Sequence, residues 1–214
     1  MIKGVFWDND GVLVDTEGLY FEATRDVLAE VGVQIDASHY VDIGMRQGRS
    51  LFELARDRLS DEAIGGLREE RNRRYRRLLA NGVTPLDGVE EALGRLHGRV
   101  VMGIVSSSDP EAFALIHRTT GLLRFFDFVL VGGDYARSKP HPDPYLAALA
   151  RSGLQPDECI AVEDSERGIA SARAAGLRCI AVPHGIARAG DVGGASHRVE
   201  SASDLPKLFE SLLG

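Results

Sequence analysis

Short, largely apolar runs alternate with helix-like segments along most of this 214-residue chain. The first run, Ile2 to Trp7, is cut off by the polar turn Asp-Asn-Asp-Gly. Strands that are apolar throughout, rather than at every second position, are typical of parallel sheets covered by helices on both faces. The later runs predict further strands over Arg99–Val105, Phe126–Val131, Cys159–Val162 and Cys179–Val182.

Helical spacing fills the intervals between these strands. The pattern predicts helices over Val89–Leu96, Pro110–Thr119, Asp143–Ser152, Gly168–Ala175 and Asp204–Leu213. A regular alternation of strands and helices favours one α/β domain whose sheet is parallel. Both cysteines, Cys159 and Cys179, fall in the apolar strands, so we expect buried thiols without a disulfide.

The segment between residues 15 and 83 departs from this alternation. It contains a first helix that Gly32 ends, and two further helical patterns around Leu51–Leu59 and Leu67–Leu79. A strand is suggested only around Val41–Ile43. We therefore predict a Rossmann-like parallel-sheet core of residues 1–14 and 84–214, with a small α-helical cap of residues 15–83 inserted after the first strand.

Composition excludes several classes of function. Lys and Arg number 25 against 32 Asp and Glu, which gives a net charge of −7. An acidic chain is poorly suited to nucleic acid and is repelled by anionic membrane surfaces. The sequence has no apolar run long enough to span a membrane and no pattern of a signal peptide. We expect a cytoplasmic monomer, with a dimer as the alternative.

Polar residues follow four of the predicted strands. Ligands of doubly wound sheets bind where the carboxyl ends of the strands meet. A single Asp-x-Asp is most often a turn former or a helix cap, but acids crowded on one rim repel one another unless a cation joins them. Oxygen ligands suit Mg²⁺, and a lysine beside them suits a phosphate dianion. The residues on this rim are Asp8, Asp10, Ser106, Ser107, Lys139, Glu163 and Asp164.

Four motifs in this order carry a resemblance to a known family. The run Asp-Asn-Asp-Gly-Val-Leu-Val-Asp-Thr-Glu, from Asp8 to Glu17, resembles the first motif of the haloacid dehalogenase-like hydrolase superfamily. Ser106 resembles the second motif, Ser138-Lys139-Pro140 the third, and Glu163-Asp164-Ser165 with Gly168 the fourth. The match spans essentially the whole chain and is similar to the branch of β-phosphoglucomutase and phosphoglycolate phosphatase. It implies the corresponding fold, with residues 15–83 as the family's α-helical cap.

The resemblance also implies a role for each rim residue. Asp8 is the nucleophile that becomes an aspartyl phosphate, and Asp10 exchanges protons with the leaving alcohol and with water. Lys139 neutralises Asp8 and the phosphate, which Ser106 and Ser107 also bind. Mg²⁺ is the implied cofactor, held by Asp8, Asp10 through its backbone carbonyl, Glu163 and Asp164.

Three other residues within the first motif receive structural interpretations. Asn9 stands where the family often has an apolar residue, and we interpret it as a variant that does not touch the mechanism. Asp15 is interpreted as a structural acid of the turn. Thr16 is predicted to cap the first helix of the insertion.

The substrate is expected to contact a loop of the cap. By resemblance, the candidate residues of this loop are Gly44, Arg46, Gln47 and Arg49. Three positions depart from the mutases: Gln47 replaces an arginine, Asp109 a basic residue and Tyr20 a histidine. The resemblance therefore favours hydrolysis of a small phosphate ester, a sugar phosphate, over a sugar phosphomutase. A catalytically silent phosphate-binding regulatory protein is the alternative from another class.

An arginine-rich stretch, Arg68 to Arg77, admits two interpretations. The sharper one is a patch for a polyanion, which the net charge of −7 disfavours. The plainer one is a solvated helix face whose arginines pair with Glu69 and Glu70. We favour the second.

Overall fold

The sheet is described by a computed structural model that covers residues 1–185 and 191–213, apart from the Met45 side chain. In this part of the chain six strands form one parallel sheet in the order β3-β2-β1-β4-β5-β6. They are β1 (Gly4–Trp7), β2 (Val101–Val105), β3 (Phe128–Leu130), β4 (Cys159–Glu163), β5 (Arg178–Ala181) and β6 (His197–Arg198). The parallel α/β prediction is confirmed, while β6 is too short to have left a pattern.

Strand β1 lies at the centre of the sheet, between β2 and β4. Successive side chains of a strand point to opposite faces. Val5 and Trp7 accordingly enter one hydrophobic cluster and Phe6 the other, and all three are fully buried. Burial on both faces explains why the strand is apolar at every position. Cys159 and Cys179 are buried free thiols, as predicted.

Helices dominate the insertion between β1 and the rest of the sheet. They are α1 (Glu17–Glu30), α2 (Ala37–His39), a π-helix (Tyr40–Arg46), a 3₁₀ helix (Leu51–Ala55) and α3 (Asp61–Leu79). The suggestion of a strand around Val41–Ile43 was wrong, since these residues belong to the π-helix. Val27, Leu28 and Phe52 belong to a hydrophobic cluster of the insertion that is separate from the sheet's two clusters. The boundaries at 14/15 and 83/84 stay a prediction, and residues 186–190 and 214 of the predicted core lie outside the described residues.

The remaining α-helices of the described residues cover the sheet. They are α4 (Val89–Leu96), α5 (Pro110–His117), α6 (Asp143–Ser152), α7 (Glu166–Ala174) and α8 (Leu205–Leu213). Helix α7 begins two residues earlier than predicted because the Ser165 hydroxyl accepts a hydrogen bond from the Gly168 amide at 3.1 Å and caps it. None of the described helices combines the length and the apolar character that crossing a membrane requires.

The order of the strands fixes where a ligand can bind. From β1 the chain builds β2 and β3 on one side, then crosses to β4 on the other side of β1. Such a reversal leaves a crevice at the carboxyl ends of the two strands that flank it. Here the flanking strands are β1 and β4, which end next to Asp8 and Asp164.

Candidate active site

Asp8 and Lys139 form a buried ion pair at this crevice. Lys139 Nζ lies 2.6 Å from Asp8 Oδ1, 2.7 Å from Glu163 Oε1 and 2.9 Å from the Val105 carbonyl oxygen. Only 8% of Asp8 and 6% of Lys139 is exposed. Burial by itself lowers the pKa of Lys139, but the charges of Asp8 and Glu163 outweigh it and raise that pKa. The amine is therefore a fixed positive charge.

Three acids surround this amine: Asp8, Glu163 and Asp164, the acid cluster. One carboxylate oxygen of each lies within 4.8 Å of those of the others, and all three residues are buried. Burial raises the pKa of Asp8 to about 8, and Lys139 offsets this only in part. Burial also raises the pKa of Asp164 well above its usual value. One ammonium does not offset the burial of Asp8 and Asp164, so the oxygens of the cluster fit a divalent cation such as Mg²⁺.

Two motif glycines make room for the acid cluster. A Cβ on Gly11 would lie 2.0 Å from Asp164 Oδ2, and its φ of +81° also favours glycine. A Cβ on Gly168 would lie 1.9 Å from Glu163 Oε2. Any side chain at either position would displace a carboxylate.

The Asp10 carboxylate is held by three donors, which come from the loops after β1 and β2. Ser108 Oγ, after β2, donates to Asp10 Oδ2 at 2.8 Å, and Asn9 Nδ2 donates to the same oxygen at 3.3 Å. Thr16 Oγ1 donates to Asp10 Oδ1. The prediction that Thr16 caps helix α1 is wrong for its side chain, which makes no capping bond because its hydroxyl is engaged by Asp10.

The serines after β2 lie at different depths. Ser106 is fully buried, and its Oγ accepts a hydrogen bond from the Ser108 amide at 3.1 Å. Ser107 and Ser108 line a cavity of about 600 Å³, together with Asp8, Asp10, Lys139 and Asp164. Ser106 and Glu163, both expected at the site, lie beneath this lining. The sequence had singled out neither Ser108 nor its contact with Asp10.

Of the four candidate cap residues, only two line the cavity. Gly44 and Arg49 do so, whereas Arg46 and Gln47 do not. Arg46 pairs with Asp42 at 2.8 Å on an exposed turn, and Gln47 accepts from Arg49 at 3.2 Å. Arg49 itself pairs with Glu53 at 2.6 Å. Ion pairs and hydrogen bonds with nearby residues of the same helical turns therefore hold the side chains of Arg46, Gln47 and Arg49.

Helix α3 supplies cavity residues that the sequence did not reveal. The guanidinium of Arg71 lies 4.2 Å from the centre of the Tyr20 ring and 5.6 Å from that of Phe52. Its Nε donates to Asn72 Oδ1 at 2.8 Å, and all four residues line the cavity. Arg71 is one of six arginines between residues 68 and 77. Nothing in that run distinguishes the one that points inward.

Glu17 and Arg167 also line the cavity. Burial raises the pKa of Glu17 to about 7, and the Tyr40 hydroxyl donates to its carboxylate. Arg167 donates from Nη2 to the Lys139 carbonyl oxygen. Glu17 belongs to the first motif and Arg167 lies within the fourth, but the sequence had predicted neither as a site residue.

Residues 5–182 match the family model of haloacid dehalogenase-like hydrolases, so the chain belongs to this family, and its fold and rim motifs agree. It is 31% identical over 183 residues to fructose-1-phosphate phosphatase YqaB of Escherichia coli (84% of this chain, 95% of that protein). It is 35% identical over 176 residues to phosphoglycolate phosphatase of Xylella fastidiosa (78% and 76%). The crystal structure of β-phosphoglucomutase from Clostridium difficile aligns over the full length of both chains, with a TM-score of 0.79 and 25% identity.

Proposed function

We propose that this enzyme is a Mg²⁺-dependent phosphatase that hydrolyses a small phosphorylated metabolite, a sugar phosphate, through an aspartyl-phosphate intermediate. The observation that carries the proposal is the 2.6 Å contact between Asp8 and Lys139, beside two further buried acids, of which Asp164 lines the cavity and Glu163 lies beneath it. The similarity to enzymes named as phosphatases of fructose 1-phosphate and of phosphoglycolate supports it.

The first step transfers the phosphoryl group to the protein. An oxygen of Asp8 attacks phosphorus, the bond from phosphorus to the sugar oxygen breaks, and Asp10 gives its proton to that oxygen. Hydrolysis of phosphate monoesters requires ~20 kcal/mol or more of transition-state stabilisation. Much of this comes from fixed positive charge, which Lys139 contributes.

The acid cluster would supply the remaining charge by holding a cation. Asp8 and Asp164 would hold Mg²⁺ with their carboxylates and Asp10 with its backbone carbonyl, while Glu163 would join directly or through water. Bound there, Mg²⁺ would neutralise charge on the phosphoryl oxygens. Glu163 also keeps the amine in place, because it accepts from both Lys139 and the Tyr145 hydroxyl at 2.6 Å.

The second step returns the enzyme to its starting state. Asp10, now a carboxylate, takes a proton from water as the water oxygen attacks phosphorus. The bond between phosphorus and Asp8 breaks, which releases inorganic phosphate. Asp8 is again a carboxylate and Asp10 again carries a proton, so the cycle is balanced.

The upper wall of the cavity suits a polyhydroxylated substrate. Glu17, Tyr40 and Asn72 offer acceptors and donors for hydroxyl groups, while Tyr20 and Phe52 offer apolar ring faces. Such a mixture of rings and hydrogen-bonding groups fits a sugar better than an apolar alcohol. This lining supports the choice of a sugar phosphate.

A sugar phosphomutase is the second candidate, and the similarity to the β-phosphoglucomutase structure favours it. Asp109 and Tyr20 line the cavity where the mutases place a basic residue and a histidine. An acid is a poor partner for a second phosphate, so hydrolysis remains the better proposal. A sugar bisphosphate that primes conversion of a sugar 1-phosphate to the 6-phosphate, without comparable phosphate release, would reverse this order.

Substitution of the nucleophile tests the proposed mechanism. Asp8→Asn should abolish phosphate release from p-nitrophenyl phosphate and from a panel of sugar phosphates, because the amide cannot form the aspartyl phosphate. EDTA should abolish it in the wild type, and added Mg²⁺ should restore it. Asp15→Asn is the matched control, since this acid of the same motif is exposed and does not line the cavity, and it should retain activity.

Two results would contradict the proposal. Full activity of Asp8→Asn, or of the wild type in EDTA, would exclude the mechanism. A folded wild-type protein that binds Mg²⁺ but hydrolyses no phosphate ester of the panel would favour the silent regulatory protein.

A further inference from the structure

Asn9, between the two acids of the first motif, is part of a buried polar network. Its side chain is fully buried, and Oδ1 lies 2.8 Å from His117 Nε2 at the end of α5. His117 Nδ1 lies 2.9 Å from Thr120 Oγ1. His117 and Thr120 are 7% and 8% exposed, so solvent does not compete for these bonds. The interpretation of Asn9 as a neutral variant therefore does not account for its surroundings.

The hydrogen bonds of this network run in one direction. Burial lowers the pKa of His117 to about 4, so the ring is neutral near pH 7 and has one N–H. The acceptor Oδ1 of Asn9 places that hydrogen on Nε2, which leaves Nδ1 to accept from the Thr120 hydroxyl. Asn9 Nδ2 is then free to donate to Asp10 Oδ2 at 3.3 Å. A flipped amide would set an oxygen against the carboxylate, so the network also fixes the Asn9 orientation.

We propose that Asn9 and His117 are positioning residues for the reaction, which orient the Asp10 carboxyl group toward the oxygen of the leaving alcohol. The proposal rests on the proposed function, because it assumes that Asp10 transfers that proton. Asp10 lies beyond the end of β1, in a loop closed by a bridge between Asp10 and Val14, so pairing within the sheet does not fix the direction of its side chain. Its orientation depends on the donors around it, and the Asn9 donor is anchored in the core through His117 at the end of α5.

A matched pair of substrates separates this role from a structural one. Phenyl phosphate and p-nitrophenyl phosphate have similar shapes, but phenolate is the poorer leaving group and depends more on the proton from Asp10. kcat/KM reports the steps up to departure of the leaving group. Asn9→Leu and His117→Phe should lower kcat/KM for phenyl phosphate about tenfold more than for p-nitrophenyl phosphate, a part of the ~10²–10⁴-fold that general acid catalysis contributes.

The control variant is His117→Gln, whose amide can still donate to Asn9 and should restore most of the lost discrimination. If Asn9→Leu does not fold, Thr120→Val replaces it, since this change removes one hydroxyl at nearly constant shape. Thermal melts and Mg²⁺ binding check that the variants are folded and that the acid cluster is intact.

Three outcomes overturn the inference. An equal loss on both substrates would show that the network only stabilises the fold, and unchanged kinetics would show that it does not act on Asp10. In both cases the wild type still hydrolyses both esters, so the proposed function stands. Hydrolysis of neither ester by the wild type would instead remove the proposed function and this inference with it.

Discussion

At the scale of single residues, burial opposes the negative charge of the acids in the site, and a cationic partner favours it. Asp8 and Asp164 are buried beside Glu163, and their pKa values are raised mainly for that reason. Lys139 supplies one positive charge, which stabilises part of the cluster. We therefore expect Asp8, the proposed nucleophile, to respond to a second cation, and we expect that response to depend on pH.

The raised pKa values predict how Mg²⁺ stabilises the protein. The pKa of Asp8 rises from its ordinary 3.8 to about 8, so the metal-free native state keeps a proton that the unfolded chain releases above its ordinary pKa. Metal-free stability therefore falls as the pH rises from about 4 to 8, and Mg²⁺ has fewer protons to displace at the upper end. The stabilisation by Mg²⁺ should be greater near pH 8 than near pH 6, by up to ~1.4 kcal/mol per pH unit for each proton displaced, and it should appear as a larger gain in Tm.

Differential scanning calorimetry with and without Mg²⁺ at the two pH values makes this measurement. Asp164→Asn should lose most of the response, because it removes one ligand of the cluster. Equal gains in Tm at both pH values would show that the acids are already ionised without the metal.

Secondary-structure elements divide their residues between scaffold and site. Helix α3 pairs Arg73, Arg74 and Arg77 with Glu70, at 2.7, 2.7 and 3.3 Å, while Arg71 turns into the cavity. The plain interpretation of the arginine-rich stretch describes most of this helix. Helix α7 also contributes to the site, because its Gly168 leaves room for the Glu163 carboxylate.

Two glycine-to-alanine changes in helices should have opposite effects. Gly168→Ala would place a Cβ 1.9 Å from Glu163 Oε2, so it should destabilise the fold by ~1–3 kcal/mol and weaken the Mg²⁺ response. Gly94→Ala in α4 meets no atom within 4 Å and should stabilise by up to ~1 kcal/mol. Urea unfolding measures both. A stable Gly168→Ala variant with normal Mg²⁺ binding would show that the carboxylate moves aside at little cost.

At the scale of the whole molecule, ion pairs join the helical insertion to the sheet domain across the cavity. Arg76 of α3 lies 3.1 Å from Glu111 and 3.5 Å from Asp109, both at the start of α5. These side chains are 32%, 65% and 50% exposed, so the pairs contribute little to global stability. Their position suggests that they hold the insertion over a bound substrate.

Removal of this link should change substrate binding more than folding. Arg76→Gln should raise KM up to about fivefold, which corresponds to the ~1 kcal/mol of an exposed pair, with kcat and Tm nearly unchanged. Arg77→Gln is the matched control, because its partner Glu70 lies on the same helix. The difference between wild type and Arg76→Gln should shrink at high salt. An equal rise in KM for both variants would exclude a bridging role.

The sequence determined the sheet and its rim. Apolar runs that alternate with helices are typical of a parallel sheet with helices on both faces, and polar residues that follow such strands gather at one edge. These local rules place Asp8, Asp10, Lys139 and Asp164 around the same cavity without any knowledge of long-range contacts.

Only the tertiary structure decided which other side chains reach the cavity. Arg71 points inward although its neighbours pair outward, Arg46 stays on the surface, and Ser106 lies below the lining. Asn9 meets His117 across 108 positions of the chain. The direction of a side chain depends on packing between distant segments, and a local pattern of residue types contains no record of those partners.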